Sequence, residues 1–174
     1  MIAKLVVEGH EFDIEILDPK LQELIAPKKK TGYERVEHGK NFYHTSHSGH
    51  WITQDEDVGG AYSNDFYNAA NYYSSQELAQ NNARADKLMR QLRRFAVEHR
   101  VNKLNWESDS QAKWLISYNS CGKNSLDCGL IIEESRNIHS HGVVYFDRII
   151  DADAAIEAFR DELIWYFTEY KDSL

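Results

Sequence analysis

Two stretches of the chain repeat an apolar residue every three or four positions, which predicts two long amphipathic helices. The first helix follows Tyr72–Leu78, where Ser74 as N-cap and Glu77 three residues later match a capping box. Its apolar face consists of Leu78, Ala85, Leu88, Met89, Leu92, Phe95 and Ala96. The second helix is predicted to run from an N-cap at Asp151 to about Tyr170.

Each predicted helix follows an apolar segment that ends in an aromatic pair, Tyr72-Tyr73 in one case and Tyr145-Phe146 in the other. This repeated pattern predicts an α+β fold of two small units that pack together, each consisting of an antiparallel sheet and a helix. We expect three segments along the chain. They are an N-terminal hairpin with a short helix (1–30), a hairpin with a long helix (31–102), and antiparallel strands with the last helix (103–174).

Alternating apolar and polar residues predict the strands. Ala3–Leu17 predicts two strands around a turn at Glu8-Gly9-His10, with one packed face formed by Leu5, Val7, Phe12, Ile14 and Ile16. A short helix should follow between Asp18 and Pro27. A second hairpin is predicted at Lys40–Thr53, with its turn at Ser48-Gly49, and the acidic stretch Gln54–Gly60 after it is expected to be a loop. Further strands are predicted in Ala112–Tyr118, Gly129–Glu134 and Asn137–Phe146.

The composition predicts a folded protein that does not enter a membrane. The chain is 42% hydrophobic and 12% aromatic, enough for a sizeable core. No apolar run approaches the roughly 20 residues that span a bilayer, and the alternating, acid-bearing N-terminus does not resemble a signal peptide. A cytoplasmic location is the simplest interpretation. The two cysteines, Cys121 and Cys128, are expected to be free thiols, although a disulfide across a hairpin loop is an alternative.

Charge is distributed unevenly along the sequence. The formal net charge is −8, which disfavours general nucleic-acid binding because phosphate contacts dominate such affinity. Residues 76–103 nevertheless carry seven basic and three acidic side chains, a local charge of +4. Four of the basic residues form the best candidate surface for nucleic acid: Arg84, Lys87, Arg90 and Arg94. The alternative interpretation is a solvated helix face.

The sequence contains only weak signals for catalytic or metal-binding residues. His44, His47 and His50 place three imidazoles within seven residues, a donor set that zinc accepts. On an extended chain, however, residues three apart point to opposite faces, so surface histidines on a hairpin are the alternative. No nucleotide-binding or nucleophile-elbow motif occurs in the sequence. The sequence therefore predicts a protein without catalytic residues or a cofactor.

Consecutive aromatic residues near the end of the chain predict an interface. Trp165, Tyr166 and Phe167 cannot all face inward from one regular helix, so at least one should be exposed. Because tyrosine and tryptophan are favoured at binding hot spots, such a residue could contact a partner or a second copy of the chain in a homodimer. The alternative is that these residues belong to the core.

Two segments resemble small accessory proteins of phages and prophages of low-GC Gram-positive bacteria. Asn71–Ala96 has the aromatic pair, the capping turn and an arginine-phenylalanine-alanine helix end that are common in such proteins. Gly142–Ile156 and Leu163–Phe167 resemble their other typical module. The resemblance covers well over half of the chain and carries no catalytic residues.

Accessory proteins of this kind include inhibitors of host defence such as anti-CRISPR proteins, many of which occupy a basic nucleic-acid channel with an acidic surface. The resemblance therefore implies a bacterial defence protein, such as a CRISPR effector nuclease, as the partner, bound stoichiometrically in the host cytoplasm. The acidic surface would be formed by Asp153, Glu157, Asp161 and Glu162. The alternative is a small nucleic-acid-binding or regulatory protein that uses the basic helix face.

Overall fold

The computed structural model divides the chain into two units, residues 1–34 and 35–174. The residues that it describes are 2–7, 10–15, 17–18, 30–46, 51–120 and 129–170. Within them the fold is α+β, as predicted, with short antiparallel sheets and three α-helices. The division of the second unit at residue 102 stays a prediction.

The first unit contains an antiparallel pair of strands, as its alternating sequence predicts. Strand β1 (Ile2–Val7) pairs with β2 (His10–Glu15). The Glu8-Gly9 turn and most of the predicted helix between Asp18 and Pro27 lie outside the described residues.

The prediction that one face of this hairpin is packed is wrong for the side chains that can be assessed. Phe12 and Ile14 are both exposed. A two-stranded hairpin buries an apolar face only where another element covers it. The side chains of Leu5 and Val7, and the whole of Ile16, lie outside the described part of the chain.

The second unit contains the remaining elements of the fold. In chain order they are β3 (Asn41–Thr45), β4 (Ile52–Glu56), α1 (Ala61–Asn68), α2 (Gln76–Glu98), β5 (Lys113–Asn119), β6 (Gly129–Ser135), β7 (Tyr145–Phe146), α3 (Ile149–Trp165) and a π-helical turn (Tyr166–Tyr170).

Strand β4 extends further than the sequence predicts. Gln54, Asp55 and Glu56 were expected in a loop, but they pair with β3 in a register that places Asn41 opposite Glu56. Polar residues are tolerated there because short antiparallel strands need to bury only one face. The predicted turn at Ser48-Gly49 lies outside the described residues.

The two predicted sheet-plus-helix modules share one topology. In the second module the strand order is β6-β5-β7, so the aromatic strand β7 pairs with the first strand of the hairpin. In the first module Tyr73 pairs in the same way with Tyr43 of β3, through two backbone hydrogen bonds of 2.8 Å. Each aromatic pair ends two residues before a helix N-cap, Ser75 or Arg148. We call these modules the first repeat (β3, β4, Tyr72-Tyr73, α2) and the second repeat (β5, β6, β7, α3).

Both long helices begin near their predicted starts, but not at the predicted N-caps. The first N-cap is Ser75 instead of Ser74, because Ser75 has extended backbone and its hydroxyl accepts from the amide of Leu78 at 3.4 Å. The second N-cap is Arg148 instead of Asp151. Asp151 lies in the first turn, where its carboxylate accepts two hydrogen bonds from the Arg148 guanidinium.

A single hydrophobic cluster joins the two repeats. Helices α2 and α3 pack against each other and against the β6-β5-β7 sheet, and the buried members of the cluster are Leu88, Leu92, Ala96, Phe146, Ala152, Ala155, Ile156 and Leu163. Ala79 and Ala152 are each four residues after an N-cap and are both completely buried. A methyl side chain at this position lets the helix backbone approach the aromatic strand closely.

The end of α3 departs from a regular helix. Phe159 has non-helical backbone angles (φ −126°, ψ 20°), and residues 166–170 form the π-helical turn. Trp165 is buried and Tyr166 and Phe167 are half-buried, so the prediction that one of these aromatic residues is exposed is wrong. The π-helical turn is wider than an α-helical turn, so it keeps consecutive side chains partly buried that a regular helix would point in different directions. None of the helices among the described residues is sufficiently long and apolar to cross a bilayer.

Candidate binding surfaces

Three of the four predicted acidic residues are exposed along α3. Asp153 and Glu157 are four residues apart and share one side of the regular part of the helix, and Asp161 follows the non-helical residue Phe159. Arg160 forms an ion pair with Glu157 and neutralises part of this charge. Asp153 and Asp161 are the remaining negative charges of these three.

Exposed isoleucines flank these carboxylates. Ile149 and Ile150 in the first turn of α3 are 50% and 64% exposed, and Ile164 near its end is 39% exposed. At about 100° per residue Ile149 and Ile150 fall on the same side of the regular part of the helix as Asp153 and Glu157, whereas Asp161 and Ile164 lie beyond the break at Phe159. We call this surface the outer face: Ile149, Ile150, Asp153, Glu157, Arg160, Asp161 and Ile164.

The fourth predicted acidic residue belongs to a different contact. Glu162 follows Asp161 by one residue, so it points away from the outer face and toward α2. Its carboxylate accepts two hydrogen bonds from Arg84, at 2.8 Å from Nε and 3.2 Å from Nη2. The same guanidinium lies 3.9 Å from the ring centroid of Trp165. Glu162 therefore helps to join α3 to α2.

Two of the four cations of the predicted basic face form ion pairs within the protein. Arg84 is held by Glu162, and Arg94 pairs with Glu98 on its own helix at 3.6 Å. Lys87 and Arg90 are exposed. The structure thus joins one residue from each predicted surface, Arg84 and Glu162, into a single ion pair.

His44 is part of a closed polar cluster under the β3-β4 hairpin. Its Nε2 lies 2.7 Å from a carboxylate oxygen of Asp55, and its Nδ1 lies 3.3 Å from the carbonyl of Thr45. The buried ring stacks on Phe66 at 3.9 Å, and the hydroxyl of Tyr62 donates to the same Asp55 oxygen. The hydrogen bond from His44 lowers the pKa of Asp55.

This cluster bears on the metal site that the three histidines were considered for. Both ring nitrogens of His44 already face oxygen atoms of the protein, whereas a metal ligand needs one nitrogen free. His47 and His50 lie outside the described residues. In the part of the chain that the structure describes, no three metal-ligating side chains come together.

A second polar cluster is centred on Asp57, which is 1% exposed. Its two carboxylate oxygens accept hydrogen bonds from Arg35 at 2.7 and 3.0 Å, and Tyr72 donates to it at 2.8 Å. The backbone amide of Gly59 adds a fourth hydrogen bond, at 2.8 Å. Arg35 holds the pKa of Asp57 well below its usual range, and burial raises the pKa of Tyr72 to about 12. These contacts fasten the segment that enters the first repeat to its aromatic pair.

Sequence reasoning missed both polar clusters and the exposed isoleucines, although one signal was available. The stretch Asp57-Val58-Gly59 has the pattern of an Asx turn, in which an aspartate side chain binds the amide two residues later. Ile149 and Ile150 precede the predicted start of the last helix at Asp151, so the apolar periodicity of that helix does not include them.

No family model matches the chain, and neither a curated protein nor a solved structure matches it.

Proposed function

We propose that this chain is a stoichiometric binding protein whose outer face occupies a basic surface of a bacterial nucleic-acid-handling defence protein. The observation that carries the proposal is the composition of that face. Three exposed isoleucines accompany three exposed carboxylates along α3. A helix face that serves only solubility has no need of exposed branched apolar side chains, whereas a protein interface combines an apolar centre with a charged rim.

The charge of the chain supports a basic partner. A formal net charge of −8 repels nucleic acid and attracts the positive channels through which nucleic-acid enzymes hold phosphates. Such complementarity accelerates encounter and selects among partners, while the isoleucines supply burial of apolar area. The resemblance of Asn71–Ala96 to phage accessory proteins supports a defence protein, such as a CRISPR effector nuclease, as the partner in the bacterial cytoplasm.

The polar clusters support binding in preference to turnover. In the first repeat, the carboxylates of Asp55 and Asp57 and both nitrogens of His44 are engaged by neighbouring side chains and backbone. A general acid or base must reach a substrate proton, and these groups are oriented toward the protein instead.

The alternative function is nucleic-acid binding through Arg84, Lys87, Arg90 and Arg94. Two of these four cations are held in ion pairs, so fewer phosphate contacts are available on this surface. The basic helix face therefore supports the alternative less well than the outer face supports protein binding.

The experiment that tests the proposal titrates a guide-loaded CRISPR effector nuclease with the purified chain and measures DNA cleavage. We expect cleavage to fall in proportion to added protein and to stop near one equivalent. The variant Asp153→Lys/Glu157→Lys/Asp161→Lys should lose both inhibition and binding. A matched control, Glu37→Lys/Glu56→Lys/Glu107→Lys, changes three exposed carboxylates elsewhere by the same charge and should retain both.

Two outcomes would contradict the proposal. Full inhibition far below one equivalent would indicate turnover, and equal binding by both triple variants would place the interface on another surface. If no effector nuclease binds the chain, the proposed partner class is wrong.

A further inference from the structure

An open cleft of about 460 Å³ lies where α2 ends, away from the outer face. Its volume is within the range of roughly 300 to 1,000 Å³ that is typical of small-molecule sites. Its lining includes three cationic side chains, Arg93, Arg100 and Lys103, which we call the cationic wall. The lining also includes Trp106 and His139, which we call the aromatic wall. We propose that this cleft binds a nucleoside phosphate, with the phosphate on the cations and the base on the aromatic pair.

The three cations are available to a ligand. All three are exposed, and none of them forms an ion pair or a side-chain hydrogen bond with another residue in the part of the chain that the structure describes. Arg94, in contrast, points elsewhere on α2 and pairs with Glu98. Three unpaired cations around one cleft create a local positive potential within an acidic protein, as phosphate recognition requires.

The helix dipole explains only part of this arrangement. A cation near a helix C-terminus is favoured by the partial negative charge there, which accounts for Arg100 just beyond the end of α2 at Glu98. Arg93 lies more than a turn earlier, and Lys103 lies beyond the helix. The dipole effect falls off within the last turn, so it does not account for these two residues.

Asp147 binds the backbone where the chain leaves α2. One carboxylate oxygen of Asp147 accepts hydrogen bonds from the backbone amides of Val101 and Asn102, at 3.1 and 2.7 Å. It therefore fixes the chain that leaves α2, and it leaves the side chains of Arg100 and Lys103 without an acidic partner.

The aromatic wall is a rigid platform. The imidazole of His139 lies parallel to the indole of Trp106, with ring centroids 4.2 Å apart and an angle of 15° between the planes. Tyr145 meets the indole edge-on at 4.8 Å, and the ammonium group of the buried Lys113 lies 5.2 Å from the ring centroid. Lys113 itself donates hydrogen bonds to the carbonyls of residues 108 and 136. His139 is exposed on this fixed stack, so a planar base can extend it.

A nucleoside phosphate is the ligand class that matches both walls. Arginine binds phosphate oxygens through paired N–H groups. Stacking on aromatic side chains tolerates every base, and in single-stranded nucleic-acid sites it accompanies such cations. The chemistry is common to a free nucleotide and to the end of a single strand, so the test compares these two sources.

The test measures binding of adenosine 5′-monophosphate, adenosine, inorganic phosphate and a short single-stranded oligonucleotide by calorimetry at low salt. We expect the monophosphate or the oligonucleotide to bind at least roughly tenfold more tightly than adenosine or phosphate, because only these ligands contact both walls. Tighter binding of the oligonucleotide would assign the site to a strand end, and tighter binding of the monophosphate would assign it to a free nucleotide. Equal, weak or absent binding of all four ligands would overturn the proposal.

Variants locate the binding to the cleft. Arg93→Gln/Arg100→Gln/Lys103→Gln should weaken binding at least roughly tenfold, and His139→Ala should weaken it by a smaller factor. All four side chains are exposed, so these variants should fold. The matched control Lys40→Gln/Lys87→Gln/Arg90→Gln removes three exposed cations elsewhere and should bind as the unaltered chain does. Equal losses in both triple variants would show a general charge effect and would overturn the proposal.

Discussion

The two repeats share a topology but are stabilised by different means. In the first repeat, Asp57, Arg35 and Tyr72 form a buried hydrogen-bonded cluster, and His44 with Asp55 forms another. In the second repeat, Phe146, Ile156 and Leu163 belong to the common apolar cluster. Its two buried charged residues are held locally, Lys113 by two backbone carbonyls and Asp151 by Arg148. One backbone plan therefore accommodates different arrangements of buried charge.

This difference separates structural from functional polar groups. The members of the two polar clusters of the first repeat are engaged with one another, and the Asp57 cluster holds the chain segment that enters the repeat. On α3 of the second repeat, Asp151 is buried and paired with Arg148, whereas Asp153 and Asp161 are exposed. The proposed protein-binding surface therefore uses the carboxylates of α3 that have no structural partner among the described residues.

The largest effect should come from the apolar interior of the second repeat. Phe146 is 1% exposed, so Phe146→Ala should lower the free energy of unfolding by about 3–5 kcal/mol through lost burial and an unfilled cavity. Urea denaturation measures this loss. Ile138→Ala, at an exposed site nearby in sequence, should change it by less than about 0.5 kcal/mol. Equal effects of the two substitutions would contradict the assignment of Phe146 to the core.

A smaller, pH-dependent effect should come from the polar interior of the first repeat. Asp57→Asn should cost about 2–4 kcal/mol near neutral pH, because it removes the charge that Arg35 and Tyr72 contact. The pKa of Asp57 is lowered in the folded protein, so its contribution is present above the unfolded value of about 4 and is lost as the pH falls further. Asp55, whose pKa is also lowered, should act in the same direction.

Urea denaturation of the unaltered chain and of Asp57→Asn between about pH 7 and pH 2 tests this dependence. The two stabilities should converge as the solution becomes more acidic, because the unaltered chain loses more. The control Glu56→Gln changes the exposed carboxylate of the preceding residue, at the end of β4, and should leave the dependence unchanged. Parallel curves for the unaltered chain and Asp57→Asn would refute the role assigned to this carboxylate.

The smallest effect concerns the contact between the repeats. A double-mutant cycle of Arg84→Ala and Glu162→Ala should give a coupling energy of about 0.2–1 kcal/mol that decreases with salt, since the pair is partly exposed. The corresponding cycle for Arg94 and Glu98, which are 3.6 Å apart and more exposed, should give a value near zero. Equal coupling in both pairs would mean that the Arg84–Glu162 contact does not join the helices specifically.

The sequence predicts the repeated plan because that plan depends on local signals. The aromatic pairs, the turns that follow them and the apolar periodicity of α2 and α3 are each encoded within about twenty neighbouring residues. The N-cap at Ser75 was missed by one residue because Ser74 and Ser75 are chemically identical, and only the backbone angles distinguish them.

The contacts that sequence reasoning missed connect distant parts of the chain. Arg84 and Glu162 are separated by 78 positions, and their pairing depends on how α2 and α3 cross. Arg35 and Asp57 meet because β4 continues past its predicted end and carries Asp57 toward the incoming segment. The apolar periodicity assigns each of these residues to a helix or a strand. It does not indicate which charged residue of another element the side chain contacts.

The most direct test of the proposed function is amide hydrogen exchange of the chain alone and in complex with a CRISPR effector nuclease. Binding through the outer face should slow exchange in α3, especially over residues 149–164, and leave β3, β4 and α1 unchanged. Slower exchange confined to β3, β4 and α1, with α3 unaffected, would contradict binding through this face.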